Sequence, residues 1–229
     1  MNYKIAIDGP AGSGKSTAAR ELAKKLNYKY LDTGAMYRAV TYKALEEKID
    51  LNHEKKVIAL AKNMDLKFTP ADRNKKSRLY VNNQDITDKL RLSRVNENVS
   101  QVARIKGVRK IMVKKQRQLA DKGEIVMDGR DIGSKVLPDA DFKFYITATL
   151  EERARRRYKE INNENPDISF SEVKKSVARR DKIDSERSYS PLIKPKNANE
   201  IDTTNLSVQE VVNKLHQIII NKGEEEQNE

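Results

Sequence analysis

Three short apolar runs along the chain each end in a polar turn. Ile5-Ala6-Ile7 leads into Asp8-Gly9, Ile125-Val126-Met127 into Asp128-Gly129, and Phe142 to Ile146 into Thr147. Runs of this length, bounded by turn residues, predict core strands. Helix-forming residues fill Thr17 through Leu26, and Tyr28 to Leu31 reads as a further short strand. A helix then opens at Asp32-Thr33, with either residue placed to cap it, and runs to about Glu47. Shorter helical stretches follow over 54–63, Ser93 to Ala103 and Gly107 to Asp121. In the last of these, Val108, Ile111, Met112, Gln116 and Leu119 approximate one buried stripe and the basic residues fill the other faces. Two more helices are predicted after Thr147-Ala148-Thr149. The break between them falls at Asn162 to Asp167, and the second begins near Ser169 or Ser171. Ala198 to Ile201 is a weak last strand. Ser207 and Glu210 form a capping box for a final helix, and the charged run from Gly223 is predicted to be disordered.

One segment departs from this alternation. D-L-K-F (Asp65–Phe68), R-L-Y-V (Arg78–Val81) and Gln84 to Ile86 read as short strands, with Asn82-Asn83 as a hairpin turn. Residues from about 63 to 92 therefore form an inserted β-ribbon, with polar Asp72 to Ser77 as its mobile tip. The rest is an α/β pattern around a mostly parallel sheet.

Composition narrows the classes. The 229 residues contain no cysteine, which excludes disulfides and thiolate chemistry. No apolar run is long enough to span a bilayer and no signal-peptide pattern is present, so a soluble cytoplasmic protein is expected. Lys and Arg total 46 against 34 Asp and Glu, a formal charge of +12. This excess fits nucleic acid or small polyanions. The charge is scattered and aromatics are only 6% without tryptophan, so no base-stacking platform is indicated and small anions are favoured. His53 and His216 lack metal-ligand neighbours and read as structural.

The chemistry starts at the first strand. Gly9-Pro10-Ala11-Gly12-Ser13-Gly14-Lys15-Ser16 fits G-x-x-x-x-G-K-[ST], and Thr17 continues into a helix. Strand, glycine loop and helix together form an anion cradle of backbone N–H groups at a helix N-terminus. Lys15 reaches the β- and γ-phosphates, and Ser16 binds Mg²⁺. Asp128, at the end of a second core strand, suits the magnesium shell. The alternative for D-G is a plain turn. Arg130 and Asp131 follow on that turn. Thr33 and Arg38 open either an ordinary capped helix or a second phosphate site facing the first across a cleft. Arg153, Arg155, Arg156 and Arg157 exceed what solubility needs; Arg153 and Arg157 share one face, as on a mobile lid. Arg180, Asp184 and Arg187 also share a face, either as a salt-bridge ladder or as a wall that reads a sugar and its phosphate. Two phosphate sites and a lid point to phosphoryl transfer. The lack of a catalytic histidine suits a phosphate acceptor, which is already ionised.

The combination of I-D-G-P-A-G-S-G-K-S-T, L-D-T-G-A-M-Y-R, S-Q-V-A (Ser100–Ala103), D-G-R-D-I-G and R-D-x-x-D-x-x-R (Arg180–Arg187) resembles the bacterial cytidylate kinase family, in order along nearly the whole chain. The resemblance implies a P-loop three-layer α/β/α fold and phosphorylation of CMP and dCMP by ATP with Mg²⁺. It implies a core over 1–30, 104–148 and 188–229. It also implies a monophosphate-binding domain over 31–103 and a short helical lid over 149–187. By matching position, Gly9 to Thr17 hold ATP, and Ser100, Arg109 and Asp131 read cytosine. Arg38 and Arg130 hold the CMP phosphate, Arg180 and Asp184 contact the ribose, and Arg187 lies on the phosphate side. Lys15, Arg130, Arg153 and Arg157 are the expected catalytic cations. A monomer acting on small molecules is expected, without membrane or nucleic-acid partners. The alternatives are another monophosphate kinase or a nucleic-acid-binding P-loop ATPase. A GTPase switch lacks its N-K-x-D sequence.

Overall fold

A computed structural model describes residues 2–69, 78–162 and 167–228. The ribbon tip at Asp72 to Ser77 and most of the break at Asn162 to Asp167 lie outside the described residues. The chain divides into two compact units, Met1–Lys29 with Gly123–Glu229, and Tyr30–Lys122. The second unit takes in residues 104–122, which the resemblance assigns to the core, because the helix there packs on its unit neighbours.

The first unit is built on the predicted strands. β1 (Lys4–Asp8) lies between β6 (Ile125–Gly129) and β7 (Phe142–Thr147), parallel to both, and β8 (Asn199–Asp202) joins β7, also in parallel. With β2 (Lys29–Asp32), the sheet order is β2-β6-β1-β7-β8. Central parallel strands are covered on both faces, which explains why β1 and β6 are apolar without alternation. Ile5, Ile7 and Phe144 are wholly buried, each contributing about 1.5–3 kcal/mol. α1 (Lys15–Leu26) buries Ala18, Ala19, Leu22 and Ala23 along one stripe. α6 (Leu150–Asn162) and α7 (Phe170–Glu186) pack on each other, with Tyr158 edge-on to Phe170 at 5.9 Å. Of the two candidate starts, Ser169 caps α7 in a reciprocal box with Glu172. Ser207 and Glu210 make the same box before α8 (Val208–Asn228). That helix continues past Gly223 to Asn228, where disorder was expected. Glutamates and glutamine there are good helix formers, and one glycine costs only about 1 kcal/mol.

In the second unit, Asp32 caps α2 (Thr33–Glu46) by accepting the Ala35 N–H at 3.0 Å. α3 (Glu54–Asn63), α4 (Ser93–Arg104) and α5 (Lys106–Ala120) complete its helices. β3 (Leu66–Thr69), β4 (Arg78–Val81) and β5 (Gln84–Asp85) form the expected antiparallel ribbon. Asn82 and Asn83 both take positive φ (49° and 65°), the requirement of a two-residue hairpin turn that asparagine tolerates. In α5 the buried face is Val108, Arg109, Met112, Val113, Gln116 and Ala120. Leu119 is exposed, so the stripe is rotated and takes in a cation.

Candidate active site

The glycine loop runs from β1 into α1, as its spacing requires. Gly9 has φ 153°, and a Cβ there would lie 2.0 Å from the Ile146 carbonyl oxygen, so only glycine fits. Gly12 and Gly14 also have positive φ. Lys15 is 7% exposed, and its Nζ donates to the Pro10 carbonyl at 3.1 Å. The ammonium thus lies folded along the loop it would serve. Ser16 Oγ donates to Asp128 Oδ2 at 2.6 Å. Two oxygen donors side by side at the foot of a phosphate cradle fit Mg²⁺, which takes few protein ligands and shares substrate phosphates.

Arginines and carboxylates close the rest of this unit's site. Arg130 Nε donates to Asp184 Oδ2 at 2.8 Å. Arg187, just past the end of α7, lies 3.7 Å from Asp184 and 3.9 Å from Asp131, and its Nε donates to the Ser190 carbonyl. Burial raises the Asp184 carboxyl, but Arg130, Arg180 and Arg187 outweigh it and hold it below the usual range. Burial likewise disfavours the Arg130 cation, and Asp184, Asp128 and Asp181 more than offset that. The R-D-x-x-D-x-x-R run is therefore not a ladder closed on itself: Asp184 also pairs with a residue 54 positions away.

Other expected cations sit differently. Arg153 is buried; it donates to the Ala148 carbonyl from Nε at 2.9 Å and to the Ala11 carbonyl from Nη1 at 3.1 Å, and pairs with Asp181. Asp181 in turn accepts the Ala11 N–H at 3.3 Å. This network straps α6 and α7 to the loop tip. Arg157 pairs with Glu160 at 2.8 Å near the surface. Arg156 donates to the Thr203 hydroxyl at 3.0 Å and carbonyl at 2.6 Å, and that hydroxyl donates to the Ser13 carbonyl at 3.0 Å.

In the second unit, Arg38 Nη2 donates to Asp32 Oδ2 at 2.6 Å beside buried Thr33. Arg109 is buried, 5.0 Å above the Tyr37 ring, and donates to the Ala103 carbonyl at 3.0 Å. Ser100 lies half-buried on α4.

Asp8, Asp181 and Thr203 were given no role from the sequence, and Arg156 stood out only as one of four clustered arginines. Asp8 carried the same signal as Asp128, a carboxylate closing an apolar strand. It is wholly buried and accepts the Ile132 and Gly133 N–H groups, each at 2.7 Å. Burial pushes its carboxyl up to about 7; those two N–H bonds and Arg130 oppose the rise, and Asp131 adds to it. Between about 3.8 and about 7 the folded chain keeps a proton that the unfolded chain has lost. The Asp8 contribution to stability is full below that window and declines as pH rises through it. Urea unfolding at stepped pH should show the stability difference between wild type and Asp8→Asn shrinking from pH 4 to pH 7; a difference that stays flat contradicts this.

The strand–loop–helix cradle, the carboxylate on the neighbouring strand end and the arginine-lined helical hairpin define a P-loop nucleotide-binding protein of the three-layer α/β/α kind. Shikimate kinase from Acinetobacter baumannii shares this fold, with a TM-score of 0.53 at 15% identity over 97% of this chain and 95% of that one. The chain belongs to the cytidylate kinase family, whose model matches residues 5–221. It is 50% identical to the cytidylate kinase of Clostridioides difficile over 214 residues, 93% of this chain and 96% of that protein. It is 47% identical to that of Caldanaerobacter subterraneus subsp. tengcongensis, over 96% of this chain and 95% of the relative. Among the described residues, no helix is long and apolar enough to cross a membrane.

Proposed function

We propose that this protein transfers the γ-phosphoryl group of ATP to CMP and dCMP, yielding ADP and CDP or dCDP. The observation that carries this reading is the family match across residues 5–221. The buried cluster of Arg130, Asp184, Arg187 and Asp131 supports it, as a ready set of donors and acceptors for a polar, anionic acceptor. The backbone of Gly9 to Thr17 and the Lys15 ammonium hold the donor, and Ser16 and Asp128 would hold Mg²⁺, which neutralises developing charge on the phosphates. Arg38, Arg130 and Arg187 hold the acceptor phosphate, and Arg180 and Asp184 the ribose. Ser100, Arg109 and Asp131 read the base. Thr33 lies with Arg38 on the acceptor side as a substrate-binding residue, and Arg153 and Arg157 belong to the lid, with Arg153 acting by holding the loop. An ionised acceptor phosphate needs no general base, so alignment and positive charge supply the catalysis. The enzyme works as a cytoplasmic monomer without nucleic acid; sedimentation and a mobility-shift assay test those points.

Cytosine presents an amino donor that the Asp131 carboxylate accepts. Uracil presents a carbonyl there, leaving a buried acceptor unpaired at a cost of about 1–3 kcal/mol. A coupled ADP-release assay across CMP, dCMP, UMP, AMP and dTMP should show CMP and dCMP preferred over UMP by tenfold or more. Robust turnover of AMP or dTMP with little of CMP would reject the reading. Asp131→Ala should lose the CMP-over-UMP preference while keeping ATP affinity, measured by titration with a non-hydrolysable ATP analogue.

A further inference from the structure

We infer that Asp8 is a positioning residue for acceptor selection, its carboxylate holding the turn after β6 in the conformation that presents Arg130 and Asp131. This rests on the reading of Asp131 as the base-facing carboxylate. Asp8 closes β1 immediately before Gly9, and its strand partner is Gly129, one residue before Arg130. Both of its oxygens are engaged by consecutive N–H groups, Ile132 on Oδ1 and Gly133 on Oδ2, at 2.7 Å each.

The turn that follows cannot hold itself. Ile132–Val136 forms a single π-turn in which the Lys135 and Val136 N–H groups donate to the Asp131 carbonyl at 2.9 and 3.1 Å. An isolated turn of this type has little intrinsic stability, and its first N–H groups have no partner within it. Asp8 supplies those partners from 124 positions earlier in the chain. The Asp131 backbone is thus fixed by its own carbonyl within the turn and by the two residues after it on Asp8. The packing leaves little slack: a Cβ on Gly133 would sit 3.1 Å from Pro195 Cγ and 3.3 Å from Lys143 Cγ. A displacement near 1 Å at a site of this kind costs about 10²-fold in rate, so the carboxylate governs acceptor recognition without touching the acceptor.

The test compares Asp8→Asn, Gly133→Ala and Asp131→Ala at about pH 8. The asparagine carbonyl still accepts one N–H, but its amide NH₂ meets the other, donor against donor. Asp8→Asn should raise the KM for CMP about tenfold and lower the CMP-over-UMP ratio of kcat/KM about tenfold, with the KM for ATP within about twofold. Gly133→Ala, which leaves the carboxylate in place but presses the turn against Pro195 and Lys143, should move the same ratio in the same direction by a smaller factor, and gives a second reading if Asp8→Asn does not fold. A general loss of stability would scale CMP and UMP turnover together and leave the ratio in place. If Asp131→Ala loses the preference while Asp8→Asn and Gly133→Ala keep it, the positioning role is wrong and the base-reading assignment stands. If Asp131→Ala keeps the preference, the base-reading assignment fails and the positioning role fails with it.

Discussion

Lys15→Ala should lower kcat for CMP phosphorylation by about 10³-fold while leaving the fold intact. That factor corresponds to about 4 kcal/mol of transition-state stabilisation, in the range for removing a preorganised charge aimed at a transferring phosphoryl group. The ammonium suits that task because it starts buried and already on the loop, bonded to the Pro10 carbonyl. Little reorganisation is needed to turn it toward phosphate. The coupled ADP-release assay reads the rate, and circular dichroism with thermal unfolding reads the fold. A variant that keeps more than a tenth of wild-type kcat would show that the loop backbone alone carries the catalysis.

Arg130→Met should be the second severe substitution, and it should act on the acceptor. We expect kcat/KM for CMP to fall about 10³-fold with the KM for ATP nearly unchanged. Arg130 holds Asp184 at 2.8 Å inside the protein, and breaking a buried pair from one side costs about 3–5 kcal/mol. Stability to urea should therefore fall as well. Asp184 would keep Arg180 and Arg187, which limits the loss, while the missing Arg130 charge lets its carboxyl rise back toward the usual range. Arg130→Lys should recover little of the CMP affinity, because a single ammonium cannot serve a carboxylate and a phosphate as the planar guanidinium does. A KM for CMP within threefold of wild type in Arg130→Met would remove Arg130 from the acceptor site.

Features governed by local spacing were legible before any fold was known. The run Gly9 to Thr17 announced a phosphate cradle because glycine is required at fixed backbone positions. Asn82-Asn83 announced a hairpin and Ser207–Glu210 a helix start, because a side chain three residues away reaches the free N–H groups; for α7 the sequence left Ser169 and Ser171 both open, and the structure selects Ser169. The strands at Ile5 and Ile125 were legible because buried parallel strands need unbroken apolar runs, and the one at Phe142 because Phe142, Phe144 and Ile146 alternate along it.

What stayed hidden was partner choice over long separations. The i, i+4, i+7 spacing of Arg180, Asp184 and Arg187 allowed a closed ladder, and the Arg130 pairing came from another strand. Arg153 stood on a face with Arg157, yet the fold buries it against the Ala11 carbonyl, 142 residues away, and leaves Arg157 at the surface. On α5, helical periodicity placed a stripe but could not set its rotation, so exposed Leu119 and buried Arg109 came out reversed. Local chemistry therefore determined that this chain binds phosphate, where its elements begin and which family pattern it carries. Which carboxylate neutralises which arginine, and that Asp8 braces the turn bearing Asp131, only the tertiary structure decided. Those pairings depend on which strand ends the sheet order places side by side, and on burial, which makes an unpaired charge too costly to leave.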